Sequence, residues 1–113
     1  MPTLFEKICQ GDIPATIVYQ DDHCVCFRDI APQAPTHLLL VPRKAIPRIA
    51  EATQDDEKLL GHMLLQVQHI ASEQGLLENG FRLVINNGRD GGEAVPHLHI
   101  HILGGRPLTW PPG

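Results

Sequence analysis

The chain has 113 residues, a formal net charge of -4 and three cysteines, and its single domain, residues 1–113, is long enough to bury roughly two-thirds of its unfolded surface without a disulfide framework. The acidic balance argues against gripping a nucleic-acid backbone, so a nucleic-acid-like ligand is expected to be a mononucleotide rather than a polymer. Residues 1–7 include Glu6 and no apolar run of signal-peptide type, and the longest apolar run, residues 38–41, is far too short to cross a membrane; a soluble, cytoplasmic protein without a membrane partner is expected.

Residues 4–10 place Leu4, Phe5 and Ile8 at helical spacing before Gly11, which predicts a short helix with a glycine stop. Residues 17–19 and 24–27 flank Gln20-Asp21-Asp22-His23 and read as a hairpin. Cys24 and Cys26 alternate on its second strand and Cys9 lies elsewhere; this is poor bridging geometry and fits a reducing compartment. Residues 29–35 hold two prolines and are irregular, whereas residues 37–41 are nearly all apolar, as in a central strand covered on both faces.

Thr53-Gln54-Asp55-Asp56 supplies an N-cap with acidic residues in the first turn. Leu60, Met63, Leu64, Val67, Ile70 and Ala71 then follow a helical period that ends at Gly75. His62 and His69 fall on the opposite, solvated face, and Gly61 marks close packing. Residues 81–85 form the next strand and residues 86–95 a glycine-rich loop. The short links within residues 17–27 and 81–103 favour antiparallel pairing, and the class is α+β.

The stretch Pro96-His97-Leu98-His99-Ile100-His101-Ile102 alternates imidazole with aliphatic residues, which reads as one half-buried strand with three rings on one face. A row of titratable rings gains nothing for stability. Taken alone it is equally compatible with a metal site and with metal-free phosphoryl or acyl chemistry. The preceding Asn86-Asn87-Gly88-Arg89-Asp90-Gly91-Gly92-Glu93-Ala94 could be an ordinary hairpin loop. Beside three histidines, an anion nest is the better reading, because its glycines let successive N–H groups converge.

His-Leu-His-Ile-His-Ile resembles the signature of the histidine triad (HIT) family. The resemblance extends to Asp29-Ile30, Pro32-Gln33-Ala34-Pro35-Thr36-His37, Leu60-Gly61-His62, Asn86, Gly88, Asp90-Gly91-Gly92, Leu103-Gly104-Gly105-Arg106 and Trp110-Pro111-Pro112-Gly113. This combination is similar to the Hint branch, the histidine triad nucleotide-binding proteins. The resemblance implies a HIT-like fold: a five-stranded antiparallel sheet with one long and one short helix, joined to a second copy in a homodimer whose C-terminal tail, with Trp110, reaches the partner's site.

The same resemblance implies a purine nucleoside phosphoramidase. His99 would attack the α-phosphorus, forming a nucleotidyl-imidazole. His97 would orient it through its backbone carbonyl, His101 would contact the phosphate, and His37 would support the triad from behind. Asn86 and the backbone of Gly92, Glu93 and Ala94 would hold phosphate oxygens, and Asp29 the ribose hydroxyls. Leu4, Phe5, Ile8, Phe27 and Ile30 would wall the base pocket. Adjacent imidazoles resist simultaneous protonation, so such a row holds mixed protonation states suited to this chemistry.

The chain departs from the branch at two positions: Ala94 replaces a usual serine and Pro96 a common tyrosine. Thr3 and Glu6 stand where zinc-binding members carry cysteines, so neither metal nor cofactor is expected. His101 stands where the related nucleotidyltransferases have glutamine, which favours hydrolysis. Two competing readings remain: a non-catalytic purine nucleotide-binding regulatory module, motivated by Ala94, and a metal-binding protein using the histidine row.

Overall fold

The computed structural model describes residues 2–113; Met1, part of the N-terminal stretch read above as lacking a leader, lies outside the described residues. Five strands, β1 (Ile17–Gln20), β2 (Cys24–Arg28), β3 (Thr36–Pro42), β4 (Phe81–Val84) and β5 (Ile100–Gly104), form one sheet in the order β1-β2-β3-β5-β4. Every neighbouring pair is antiparallel, as the short links favour for β1 with β2 and β4 with β5, and β3 pairs with β5 in the same sense without a short link. Two helices, α1 (Leu4–Cys9) and α2 (Glu57–Glu73), cover the sheet's two faces.

The side-chain period of two explains this layering. Leu38 and Leu40 on β3 and Ile100 and Ile102 on β5 pack with Met63, Val67, Ile70 and Ala71 of α2. Leu39 and Val41, pointing the other way, pack with Val25 and Phe27 of β2 and with Phe5 and Ile8 of α1. A strand buried on both faces needs a continuous apolar run, and residues 38–41 are that run. Cys24 and Cys26 sit in the α2-side core, where burial pushes both thiols up to about 12; with Cys9 they are free cysteines. Among the described residues no helix is long and apolar enough to cross a membrane.

The histidine strand begins later than its pattern predicts. β5 starts at Ile100, and residues 96–99 run outside the sheet, with His97, Leu98 and His99 all buried. Pro96 has no N–H, the His97 amide donates to Val95 O at 2.8 Å, and the Leu98 amide donates to Ile46 O at 2.7 Å. The end of β3 is also engaged: Pro42 O accepts from the His97 ring, at 2.8 Å, instead of from a strand amide. These bonds divert four residues from the ladder and set His97 and His99 beside the sheet end.

The helix α2 is also entered differently. Residues 54–56 form a 3₁₀ turn in front of it, with Asp56 Oδ2 accepting the Thr53 amide at 2.9 Å, and a second 3₁₀ turn covers Ile49–Glu51. Two positions of the predicted apolar stripe stay open, Leu60 in part and Leu64 at 51 % exposure. His62 is not simply solvated, because its Nε2 lies 2.7 Å from Asp21 Oδ2 and ties α2 to the β1–β2 turn. Gly61 marks no close packing within the subunit, since a Cβ there would meet nothing within 4 Å.

Candidate active site

The α1 side of the sheet carries the histidines. The N-terminus of α1 is closed by a capping box: Thr3 Oγ1 accepts the Glu6 amide and the Glu6 carboxylate accepts the Thr3 amide, each at 3.0 Å. The same hydroxyl lies 2.8 Å from His97 Nδ1. Thr3 and Glu6 therefore build a hydrogen-bonded cap that ends on a triad histidine.

Obligatory backbone groups fix the tautomers. Pro42 O can only accept, so His97 Nε2 carries the proton and Nδ1 accepts from the Thr3 hydroxyl. Both nitrogens of His97 are thus occupied in a ring with no exposure, and burial lowers its pKa. His97 O in turn accepts from His99 Nδ1 at 2.7 Å. In neutral His99 the lone pair is then on Nε2. The Phe5 ring meets His99 edge to face, with centroids 5.0 Å apart.

A second chain of bonds fixes His101. The Gln33 amide donates to His37 Nδ1 at 3.0 Å, so the His37 proton is on Nε2, from which it is donated to His101 Nδ1 at 2.9 Å. His101 then carries its own proton on Nε2. Burial, then the neighbouring His99 and His37, push its pKa down to about 4. His37 is lowered as well, by burial, with Asp29 opposing through an oxygen 3.4 Å from Nε2. The triad thus holds an available base at His99 and, one ring away at a centroid distance of 5.0 Å, an N–H donor.

His99 and His101 line a cavity of about 300 Å³. Of the residues expected to bind a nucleotide, Leu4, Phe5, Ile8, Phe27, Asp29, Ile30 and Ala94 also line it. Ile30 is fully exposed and Leu4 half exposed at its mouth, whereas Phe5, Ile8 and Phe27 are buried in its wall. Ile13, Pro14, Ala15, Arg28, Leu39 and Val95 complete the lining. Sequence reasoning missed them; the apolar stretch after the Gly11 stop was the available signal. His37 and His97 stand behind the cavity rather than in it.

The loop 86–95 differs from a simple nest. Gly91 is required because a Cβ there would lie 2.6 Å from Asn87 O, and Gly92 has φ +75°. The turns they make direct the Gly92 amide to Arg89 O at 3.1 Å and the Glu93 amide to Gly88 O at 3.0 Å. Neither residue lines the cavity. Asn86 lies outside the lining too; its Nδ2 reaches Gly92 O at 3.4 Å, and its Oδ1 is buried without a partner among the described residues. The Ala94 amide, by contrast, meets no protein acceptor among the described residues.

A HIT domain profile matches residues 10–108. The chain is 48 % identical over 106 residues to the purine nucleoside phosphoramidase of Escherichia coli (strain K12), covering 94 % of this chain and 89 % of that protein. It superposes on the crystal structure of a HIT family hydrolase from Legionella pneumophila Philadelphia 1 with a TM-score of 0.97 and 51 % identity, covering 99 % of this chain and 100 % of the other. The histidine triad nucleotide-binding protein from Candida albicans gives a TM-score of 0.83 at 27 % identity, covering 97 % and 83 %. With the profile spanning most of its length and two triad histidines lining a cavity, the chain belongs to the HIT family.

Proposed function

We propose that this protein is a hydrolase that cleaves the P–N bond of purine nucleoside phosphoramidates. The observation that carries the reading is the bond from His99 Nδ1 to His97 O, which leaves the Nε2 lone pair on a ring that lines the cavity. The apolar wall takes the base, and Asp29, whose Oδ1 already accepts the Ala31 amide, keeps its other oxygen for the ribose hydroxyls. The Ala94 amide and the His101 Nε2–H hold the phosphate oxygens.

His99 Nε2 attacks the α-phosphorus, a new P–N bond forms to the imidazole, and the bond to the amine breaks as the amine takes up a proton from solvent. Water then attacks phosphorus and gives up a proton to solvent, the bond to His99 breaks, and nucleoside monophosphate leaves with the imidazole regenerated. The identity to the Escherichia coli phosphoramidase supports this choice of substrate. The working unit is a homodimer, for which the exposed Leu64, Phe81, Ile85 and Trp110 supply apolar surface.

Steady-state hydrolysis of adenosine 5'-phosphoramidate, with and without chelator, tests the reading. The expected result is turnover that survives exhaustive chelation. Nucleotide binding without turnover would leave a regulatory module. A metal-binding reading has one observation of its own, that donor atoms of Asp29, His37 and His101 lie within 4.8 Å of one another. Activity lost on chelation and restored by zinc would establish it.

A further inference from the structure

Arg48 stands in extended backbone just before the 3₁₀ turn Ile49–Glu51, outside the cavity. Its guanidinium meets the Glu93 carboxylate as a fork, with Nε to Oε1 at 2.9 Å and Nη2 to Oε2 at 3.1 Å, while Nη1 reaches Glu51. Glu93 Oε1 also accepts the Gly88 amide at 2.9 Å, and the Glu93 amide returns to Gly88 O. The residue before Ala94 is therefore held by both its side chain and its main chain. Two further bonds tie the same segment to this region: the Ala50 amide donates to Asn87 Oδ1 at 2.8 Å, and Ile46 O accepts the Leu98 amide.

The Glu93 side chain is only 12 % exposed and that of Arg48 30 %, conditions in which a planar two-point ion pair fixes direction as well as charge. An uncompensated carboxylate next to Ala94 would repel an incoming phosphate. The Arg48 fork, with the Gly88 amide, keeps Glu93 ionised and paired, holding its carboxyl down at about 2.

We infer that Arg48 is a positioning residue for recognition of the substrate's phosphate: its fork on Glu93 aims the Ala94 amide into the cavity that His99 lines and neutralises the carboxylate of the adjoining residue. The inference rests on the nucleotide reading given above. It assigns a role in phosphate recognition to a side chain that does not line the site.

The test measures AMP and adenosine affinity by calorimetry, together with kcat and KM for adenosine 5'-phosphoramidate, in the wild type, Arg48→Ala, Arg48→Lys, Glu93→Gln and the double variant Arg48→Ala/Glu93→Gln. Arg48→Ala is expected to lower kcat/KM by on the order of tenfold to a hundredfold, the scale of a small misplacement of a binding group. AMP affinity should fall while adenosine affinity holds, because adenosine has no phosphate to place. Lysine, which restores charge without the fork, should recover part of the loss. The double variant should be no worse than the poorer single variant if the two residues act as one clamp.

A wild type that binds neither AMP nor adenosine would remove the nucleotide reading and the clamp with it. A wild type that binds AMP, with Arg48→Ala within twofold in affinity and kcat/KM, would overturn the clamp alone. Parallel loss of AMP and adenosine would also overturn it, since that pattern belongs to general loosening of the fold.

Discussion

At the residue scale the chemistry depends on where a few protons sit. His99 Nε2 has its lone pair because Nδ1 is committed to His97 O, and His101 Nε2 has its proton because Nδ1 accepts from His37. His99→Ala should abolish turnover while leaving AMP affinity largely intact, since the base wall, Asp29 and the Ala94 amide remain. Equal loss of both in parallel kinetic and calorimetric measurements would make the ring structural. Ala94 offers the cavity an amide but no hydroxyl. Ala94→Ser should raise kcat about tenfold for phosphoramidates of strongly basic amines, because a hydrogen bond to a charged group is worth roughly 1.5 to 3 kcal/mol when made mainly in the transition state. Two substrates differing in amine basicity provide the check; an unchanged ratio of their rates would exclude assistance to the leaving group at this position. The triad was legible in the sequence as a candidate site, since residue type and spacing are local. Arg48 was not, because its Glu93 partner is 45 positions away and the local cue, Glu51 three residues on, points to a different pair.

At the element scale, α1 is too short to be stable alone, and its capping box and apolar face hold it against the sheet. Thr3 couples the two tasks, capping the helix and bonding His97. Thr3→Ala should cost about 1 kcal/mol or more of stability as a lost N-cap and also reduce kcat, whereas Thr3→Ser should preserve both. Thermal melts and turnover measured on the two variants check this; a loss of stability with full activity would separate the cap from the triad. The existence, type and order of α1, α2 and the five described strands were legible from helical periods ended by glycine and from short apolar runs bounded by turn residues, whereas the two 3₁₀ turns were not. The boundary of β5 was not: its alternation continues through Pro96, and only the bonds of His97 and Leu98 to Pro42, Val95 and Ile46 show where pairing ends.

For the whole molecule, the buried histidines set an acid limit on stability. His37, His97 and His101 all have lowered pKa values in the folded state, His101 to about 4, because burial disfavours their charged forms. The unfolded chain, with histidine near 6.5, therefore binds more protons than the native state between those values. Stability is full above the unfolded pKa and is lost as pH falls from about 6.5 towards 4. Melting temperature measured across that range should fall, with a shallower slope in His101→Gln; equal slopes would show that His101 does not contribute. The second prediction at this scale concerns assembly. Leu64, Ile49 and Ile85 surround an apolar recess also lined by Leu60, Leu98 and Ile100. Sedimentation should give a dimer for the wild type and a smaller species for Leu64→Asp, and a monomeric wild type at micromolar concentration would contradict the homodimer.

The sequence by itself determined the class of the fold and singled out the histidines as candidate reactive side chains, because hydrophobic period, glycine and proline stops and the spacing of histidines are local properties of the chain. Tertiary structure decided what those side chains can do. Which imidazole nitrogen holds a proton depends, for His97, on Pro42 O and the Thr3 hydroxyl, 55 and 94 positions from that ring, and, for His37, on the Gln33 amide, which the irregular stretch before β3 turns back onto it. Which loop amide remains for a ligand depends on how residues 88–93 close on themselves and on Arg48. Hydrogen bonds act over about 3 Å, and only the folded chain brings groups 45 to 94 residues apart within that distance.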